Sequence, residues 1–496
     1  MGKHPFRACT FTPRWSLDES HPDRWTEEIQ ISMIGRYDSC HCCSIERRET
    51  MRFSLGKIIA LCGAAAMVVP LAACGTTQSE TPDGSGKTVV NVWAWDNNLK
   101  ANAKVFMKKN PNIVIKFTNA GSGKNEYKAL NNALEAGSGI PDIAMIEYYA
   151  IPEYVIKGSL KNLNDYGTAK YKDFYTPGTW NAVNFNGGMY GMPVDSGPMA
   201  FYYDKEVFDK AGISEPPSTW DEFYQDAKKI KQIGSYITND PGNAGFFNAM
   251  VWQAGGHPYS TSKDGTKVTV KLTTDKGVQK FCDFWQKMID EGLIETKTKD
   301  SSDDWYRSVG SGEFASVISA AWAPGMFLNN ASEGAGKWRI AQMPTWNVGE
   351  KVSSEYGGSS LALMSSSKNA DAAYKFMEFA STNSDAIMSR VDQGGFPADL
   401  KTMSNDKFLS QTTMVNSDGD TVDYFGGEKF NAEFAEAAKR VTSKFEFLPY
   451  DVYARSVFTD TVGAAYTGQT TMKEGVKAWQ DKLVEQGKSQ GFTVNE

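Results

Sequence analysis

Between residues 88 and 146, short apolar runs typical of strands alternate with segments whose apolar residues have helical spacing. Residues 88–95 (TVVNVWAW), 113–117 and 143–146 are short runs rich in β-branched and aromatic side chains, which predicts buried strands. The stretches between them, 98–109 and 125–136, carry apolar residues at helical spacing and are followed by proline or glycine, which predicts helices. This alternation predicts a parallel α/β sheet with right-handed crossovers.

Polar and aromatic side chains follow each predicted strand of this sheet. Because ligands of parallel α/β sheets bind beyond the carboxyl ends of the strands, these side chains are candidates for ligand binding. They are Trp95 at the end of the first strand with Asp96 and Asn97 directly after it, Asn119 after the second strand, and Glu147 and Tyr148 after the third.

The rest of the chain has more helical patterns. Residues 219–222 (TWDE) fit a capping box and predict a helix to residue 230. Residues 275–291 place Cys282 on an apolar helical face, so we predict a core thiol there. Residues 314–319 predict a buried strand that leads to Trp322, and further helices are expected over 370–380, 431–441 and 472–485.

The composition narrows the possible functions. The 496 residues are 41% hydrophobic and 22% charged with a net charge of −7, which argues against nucleic-acid binding through a basic surface. Of the 4 histidines only His257 lies beyond the first 74 residues, and six of the 7 cysteines lie within them. A single later histidine argues against an imidazole-based metal site, and we predict neither metal nor cofactor.

Residues 51–73 have the layout of a secretory signal, with two cations before an apolar run and small residues after it. The sequence LAAC at residues 71–74 closely resembles the lipobox of bacterial lipoproteins, which implies a lipid on Cys74 and attachment to the extracellular face of the cell membrane. Residues 74–86 then predict a flexible tether. Because a signal works at a terminus, we interpret residues 1–50 as an upstream extension of the gene model or a disordered segment.

Three sequence blocks carry a family resemblance. They are residues 190–195 (YGMPVD) with 200–208, residues 216–223 (PPSTWDEF), and residues 356–363 (YGGSSLAL) with 367–377. Together they resemble the extracellular solute-binding proteins, family 1, of carbohydrate ABC importers. The resemblance implies a two-lobed α/β fold of the periplasmic-binding-protein type (type II), with the ligand cleft between the lobes. It also implies crossovers between the lobes near residues 195–199, 356–358 and 400–407. Lobe one would be residues 87–197 and 358–404, and lobe two residues 198–357 and 405–496.

The function implied by the resemblance is capture and delivery of a sugar. The protein would be a monomeric, non-enzymatic receptor that closes by hinge bending on a neutral di- or oligosaccharide and hands it to the permease subunits of the importer. The partners implied are therefore the oligosaccharide, the ABC permease and, through the lipid anchor, the cell membrane. Which sugar is bound does not follow from the sequence.

Sugars present an apolar C–H face and a ring of hydroxyls, so their sites need flat aromatic surfaces together with polar side chains. Trp252, Trp305 in a polar loop, and Trp322 join Trp95 as aromatic candidates. Glycine at an expected crossover permits φ > 0 and close backbone approach. Further candidates at or near the expected crossovers are Asp195, Tyr356, Gly357, Gly358 and Phe396.

Two alternatives remain open from the sequence. The tandem tyrosines 148–149 and 202–203 are compatible with a ferric-iron receptor of the same fold. Glu147 and Asp195 are compatible with the carboxylate pair of a secreted glycosidase, which needs two carboxyl groups about 5–9.5 Å apart.

Overall fold

The computed structural model describes residues 11–17, 25–31, 86–441 and 445–496. The chain divides into two compact units, Met1–Gly75 and Thr76–Glu496. In the first unit, strands β1 (Phe11–Leu17) and β2 (Trp25–Ile31) pair antiparallel. The expected signal segment, the lipidation site Cys74 and nearly all of the tether lie outside the described residues, so these stay predictions.

The strands of the second unit are short. In chain order they are β3 Thr88–Trp93, β4 Ile113–Thr118, β5 Ile143–Glu147, β6 Asn184–Phe185, β7 Gly188–Met189, β8 Met192–Pro193, β9 Met199–Asp204, β10 Thr238–Asn239, β11 Tyr259–Thr261, β12 Lys267–Val270, β13 Ile294–Glu295, β14 Ser316–Ala320, β15 Trp338–Ala341, β16 Ser359–Leu363, β17 Met414–Val415, β18 Thr421–Val422 and β19 Thr493–Asn495.

Helices make up most of the remaining regular structure. They are α1 Asn98–Lys109, α2 Lys124–Ala136, α3 Ile151–Ile156, α4 Pro177–Ala182, α5 Lys205–Lys210, α6 Trp220–Gln232, α7 Ala244–Gln253, α8 Lys276–Asp290, α9 Asp303–Ser311, α10 Pro324–Asn330, α11 Ala370–Thr382, α12 Ser384–Val391, α13 Leu400–Met403, α14 Asp406–Leu409, α15 Phe430–Lys439, α16 Asp451–Ser456, α17 Gly463–Tyr466 and α18 Met472–Ser489. Single 3₁₀ turns add Tyr148–Ala150, Leu163–Tyr166, Thr168–Tyr171 and Ser332–Gly334.

The first sheet has the strand order β4-β3-β5-β16-β8. Strands β3, β4 and β5 run parallel, as the sequence predicts, with Val92 opposite both Phe117 and Ile143. Strand β16 joins antiparallel to β5, and β8 antiparallel to β16. The parallel strands therefore end at one edge, where the residues after each strand meet.

The second sheet is antiparallel, with β9 between β14 and β15. Every residue of β9 is buried, and the core beside it includes Trp220 from α6 and Trp285 from α8. The Thr219 side chain and Glu222 form the predicted capping box at the start of α6. Cys282 is buried in this core, as predicted. We call the part built on the first sheet the first lobe and the part built on the second sheet the second lobe.

Two chain segments, residues 194–198 and 354–358, run side by side between the sheets. The N–H of Met199 donates to the carbonyl oxygen of Ser354 at 2.9 Å, and that of Tyr356 donates to Gly197 at 2.8 Å. The α/β fold with two lobes is thus confirmed, whereas the exact lobe boundaries, including a third crossover near residues 400–407, stay predictions. Within the described residues, no helix combines the length and apolar character needed to span a bilayer.

Candidate ligand-binding cleft

A cleft of about 1450 Å³ lies where the parallel strands of the first sheet end. On the first-lobe side it is lined by residues that follow β3, β4 and β5 and by α2 and α12. On the second-lobe side the lining comes from the start of α7, from α10 and from α16, and the crossover residues 356–358 complete it. Both lobes therefore contribute surface to one cavity.

Most of the residues predicted from the sequence lie together in this cleft. The lining includes Trp95, Asp96, Asn97, Asn119, Glu147, Asp195, Trp322, Tyr356, Gly357, Gly358 and Phe396. Tyr148, Trp252 and Trp305 do not line it.

Tyr148 supports the cleft from behind. Its hydroxyl donates to the backbone oxygen of Asp195 at 2.6 Å, and its N–H donates to the oxygen of Gly358 at 3.0 Å. The ring also occupies the space that a Cβ at Gly358 would need, since the two would be 2.5 Å apart. Tyr148 thus joins the end of β5 to both crossover segments.

Trp252 and Trp305 pack elsewhere. Trp252 lies on α7, whose residues are all buried, and its ring stacks on Phe445 with centroids 5.4 Å apart. The prediction of a polar loop around Trp305 is wrong, because Ser302 caps helix α9 there. The Trp305 ring stacks on Phe327 and its indole N–H donates to Asn239 at 3.0 Å, so the side chain is part of the second-lobe core.

The base of the cleft is formed by Trp322 against the second crossover. The indole N–H of Trp322 donates to the carbonyl oxygen of Tyr356 at 2.7 Å, and the two rings meet edge to face at 5.6 Å. Gly357 and Gly358 both have positive φ, +84° and +92°, which favours glycine. Since the indole N–H is bonded within the protein, Trp322 offers the cleft its ring surface.

Asp96 and Asp195 both line the cleft, and both interact electrostatically with Arg390. The Asp96 carboxylate accepts a hydrogen bond from the Asn98 N–H at 2.9 Å, and that of Asp195 accepts one from the N–H of Ser359. Burial raises the pKa of Asp195 to about 8, although the Ser359 N–H opposes the rise. Burial also raises the pKa of Asp96, and the Arg390 charge opposes that rise.

Arg390 was not predicted as part of the site. It is buried, and its guanidinium donates to Asn102 at 2.9 Å and to the carbonyl oxygens of Ala380 at 2.6 Å and Val194 at 3.1 Å. These bonds join α1, the C-terminal part of α11 and the residue before Asp195. Arg390 therefore positions the wall that carries both carboxylates.

Glu147 lies in a second polar cluster, at the α2 end of the cleft. The hydroxyl of Tyr127 donates to its carboxylate at 3.3 Å and accepts a hydrogen bond from its N–H at 2.9 Å. Burial raises the pKa of Glu147, while the positive charge of Arg455 and the hydroxyls of Tyr149 and Tyr127 oppose the rise. The guanidinium of Arg455 lies 3.3 Å above the ring of Tyr149.

The cleft also has polar lining that the sequence reasoning missed. Asparagine amides both donate and accept hydrogen bonds, which suits sugar hydroxyls. The tandem asparagine pairs at residues 131–132, within α2, and 329–330, at the end of α10, were the available signal. The asparagines in the lining that were not predicted are Asn98, Asn131, Asn132, Asn243, Asn329 and Asn330.

The iron alternative has little support in the described residues. No group of three or more His, Cys, Asp or Glu side chains suited to a metal occurs among them. Of the second tandem pair, Tyr202 is buried in β9 and its hydroxyl donates to the carbonyl oxygen of Ala320 at 2.6 Å. Neither Tyr202 nor Tyr203 lines the cleft, so the two tyrosine pairs do not converge.

Residues 94–387 match the family model of bacterial extracellular solute-binding proteins. This chain belongs to that family. The resemblance that the sequence blocks indicated is thus confirmed. The matched range contains most of the candidate residues, but it ends before Arg390, Phe396 and Arg455.

Similar proteins include sugar-binding proteins of known structure. The ABC transporter associated binding protein from B. animalis subsp. lactis Bl-04, in complex with beta-1,6-galactobiose, is 48% identical with a TM-score of 0.79, covering 83% of this chain and 100% of that one. The galacto-N-biose-/lacto-N-biose I-binding protein from Bifidobacterium longum, in complex with lacto-N-biose, is 26% identical with a TM-score of 0.71, covering 83% and 99%. The lactose-binding protein of Rhizobium radiobacter is 26% identical over 418 residues, which are 80% of this chain and 92% of the relative.

Proposed function

We propose that this solute-binding protein captures a neutral di- or oligosaccharide outside the cell and delivers it to the permease of an ABC importer. The observation that carries the proposal is one cleft that combines the rings of Trp95 and Trp322 with the carboxyl groups of Asp96, Glu147 and Asp195. Aromatic rings pack on the C–H face of a sugar, and carboxyl oxygens accept from its hydroxyls. The relatives that bind sugars support the same conclusion.

The ligand class we propose is a β-galactoside. The sugars bound by the three relatives, β-1,6-galactobiose, lacto-N-biose and lactose, all contain galactose in β linkage. We give most weight to β-1,6-galactobiose, because the protein that binds it is 48% identical to this chain. A cleft of about 1450 Å³ leaves room for longer chains of the same sugar.

Closure of the cleft would follow from the paired crossover segments. Residues 194–198 and 354–358 are the places where the chain passes between the two sheets, so a small change in their backbone angles moves one lobe relative to the other. The ligand favours closure because only the closed state lets both lobes contact it. This hinge role of the two segments is part of the proposal.

The protein would act as a monomeric receptor attached to the outer face of the cell membrane through lipid on Cys74. It would leave the sugar intact, since binding proteins of this family deliver their ligand rather than convert it. Incorporation of labelled palmitate into the protein, and its loss in Cys74→Ser, tests the anchor. Overnight incubation with β-1,6-galactobiose, analysed for free galactose, tests the absence of hydrolysis.

Thermal unfolding with a panel of sugars tests the binding function. A ligand that binds only the folded state stabilises it by about 2.7 kcal/mol at 100 times its Kd, which raises the melting temperature. We expect β-1,6-galactobiose to raise the melting temperature. Lactose and lacto-N-biose, which also contain β-linked galactose, are measured for comparison. Maltose and cellobiose, which lack galactose, are the controls. If none of the galactosides changes the melting temperature at millimolar concentration, the proposed ligand class is wrong.

A further inference from the structure

Arg455 is held rigidly at the wall of the cleft. Its Nε donates to the carboxylate of Asp451 at 2.9 Å, and Asp451 itself has no exposed surface. The central carbon of its guanidinium lies 3.3 Å from the centroid of the Tyr149 ring. The ion pair and the ring contact together fix the position of the guanidinium.

The outer edge of this guanidinium has no partner in the protein. Among the described residues, no acceptor bonds to Nη1 or Nη2 of Arg455, and 19% of the side chain is exposed. Arg455 is among the residues that line the cleft. A Cβ at Gly245 would lie 2.7 Å from Nη1, so the absence of a side chain there leaves room for the guanidinium. A fixed pair of N–H donors therefore faces the ligand space.

Glu147 lies nearby but comes from the other lobe. It ends β5 of the first sheet, whereas α16, which carries Arg455, packs its Ala454 into the second-lobe core. The opposite charges of Glu147 and Arg455 attract each other. A hydrogen bond also joins α16 to the first lobe, since the N–H of Val452 donates to the carboxylate of Glu153 in α3 at 3.1 Å.

We propose that Arg455 and Glu147 form a donor–acceptor pair that binds adjacent hydroxyl groups of the sugar, and that Arg455 is a specificity-determining residue. This inference rests on the proposed function. A hydroxyl group needs both a donor for its oxygen and an acceptor for its hydrogen, and the pair supplies one of each from opposite lobes. Hydrogen bonds to a charged guanidinium or carboxylate are roughly twice as strong as hydrogen bonds between neutral groups.

The surrounding charges favour a hydroxyl over an anionic group at this position. The positive charge of Arg455 is already balanced by Asp451 and lies close to Glu147. A carboxylate or phosphate of a ligand would gain one attraction and meet two repulsions at close range. A neutral hydroxyl meets no such repulsion, so the pair selects against acidic sugars.

Calorimetric titration with β-1,6-galactobiose tests the role of Arg455. Arg440 provides a matched control, because its Nε also bonds a carboxylate four residues earlier, at 3.1 Å, and 21% of its side chain is exposed, but it does not line the cleft. We expect Arg455→Gln to weaken binding about tenfold to hundredfold, the range for lost hydrogen bonds to a charged group, and Arg440→Gln to leave it unchanged. Equal affinities of the two variants would overturn the inference.

A second measurement separates recognition from structural support. Monodeoxy derivatives of β-1,6-galactobiose identify the hydroxyl concerned, because one of them should bind wild type poorly yet lose nothing further in Arg455→Gln. If every deoxy sugar loses the same factor in both proteins, Arg455 does not contact a hydroxyl.

Folding of the variant is controlled by the double substitution Asp451→Asn with Arg455→Gln, which removes both charges of the buried ion pair together. It should unfold like wild type and bind as weakly as Arg455→Gln, and wild-type affinity in this double variant would contradict the inference. If wild type itself fails to bind any galactoside, the proposed function fails instead, so the two failures are distinguishable.

Discussion

The N–H of Tyr356 donates a hydrogen bond to the carbonyl oxygen of Gly197 at 2.8 Å, which pairs the two segments that cross between the lobes. The backbones approach so closely that a Cβ at Gly197 would overlap the carbonyl oxygen of Tyr356. That same oxygen accepts the indole N–H of Trp322 in the cleft. The crossover and the aromatic base of the cleft therefore share one backbone group.

Gly197→Ala is expected to destabilise the protein and weaken sugar binding together. The added methyl group must push the second crossover away, and overpacking of this kind costs about 1–3 kcal/mol. Gly178→Ala is the control, because its Cβ would meet only ordinary contacts at 3.9 Å. Urea unfolding and calorimetry measure both effects. Wild-type stability and affinity in Gly197→Ala would show that the crossovers tolerate separation.

Trp322→Ala and Trp305→Ala should affect different properties. Trp322 offers a ring surface to the cleft, so its loss should weaken galactobiose binding about tenfold to hundredfold, as expected for about 1.5–3 kcal/mol of lost apolar contact. Trp305 is buried away from the cleft, so its loss should cost about 3–5 kcal/mol of stability and leave affinity unchanged. Titration and urea unfolding of both variants are the measurements. The reverse assignment of the two effects would contradict our placement of the site.

Local patterns account for the success of the sequence predictions in the first lobe. The helix expected over residues 98–109 is Asn98–Lys109, and the strand expected over 143–146 is Ile143–Glu147. Hydrophobic period and the terminating residues act over a few neighbours and can be read directly. The same kind of signal was overlooked at Ser302, which caps the helix that carries Trp305.

The orientation of Trp252 and the role of Arg455 have no comparable local signal. Helix α7 is buried on every side, so its sequence has no polar face that would tell which way Trp252 points. Arg455 contacts Tyr149 only because the chain returns to the first lobe about 300 residues later. The nearby hydrogen bond between Val452 and Glu153 joins residues that are 299 positions apart in the sequence. Such contacts depend on tertiary packing, so they could not be predicted from local patterns in a single sequence.

Arg390→Met should destabilise the protein strongly. The substitution removes a buried cation that holds Asn102 and Val194 and that interacts electrostatically with the carboxyl groups of Asp96 and Asp195. Breaking a buried charge arrangement from one side costs about 3–5 kcal/mol. Arg307→Met is the control, because 72% of that side chain is exposed. Equal free energies of unfolding for the two variants would show that Arg390 does not hold this wall.

Glu126 provides a test of pH dependence. It lies in α2 with no exposed surface, and neither carboxyl oxygen has a hydrogen-bond partner in the described part of the chain. Burial, with a further contribution from Glu147, raises its pKa from 4.5 to about 9. Glu126 is therefore protonated in the folded protein at neutral pH.

An acid whose pKa is higher in the folded chain than in the unfolded chain stabilises the fold most below its unfolded pKa, and this contribution is lost as pH rises through the folded pKa. For Glu126 the interval runs from about 4.5 to about 9. Within it, wild type should lose up to about 1.4 kcal/mol of stability per pH unit from this group. Glu126→Gln, which cannot ionise, should lack that component, so its advantage over wild type should grow from pH 5 to pH 9. Glu135→Gln, an exposed position on the same helix, serves as the control. Urea unfolding at several pH values measures the difference, and parallel profiles for wild type and Glu126→Gln would mean that Glu126 is solvated or paired.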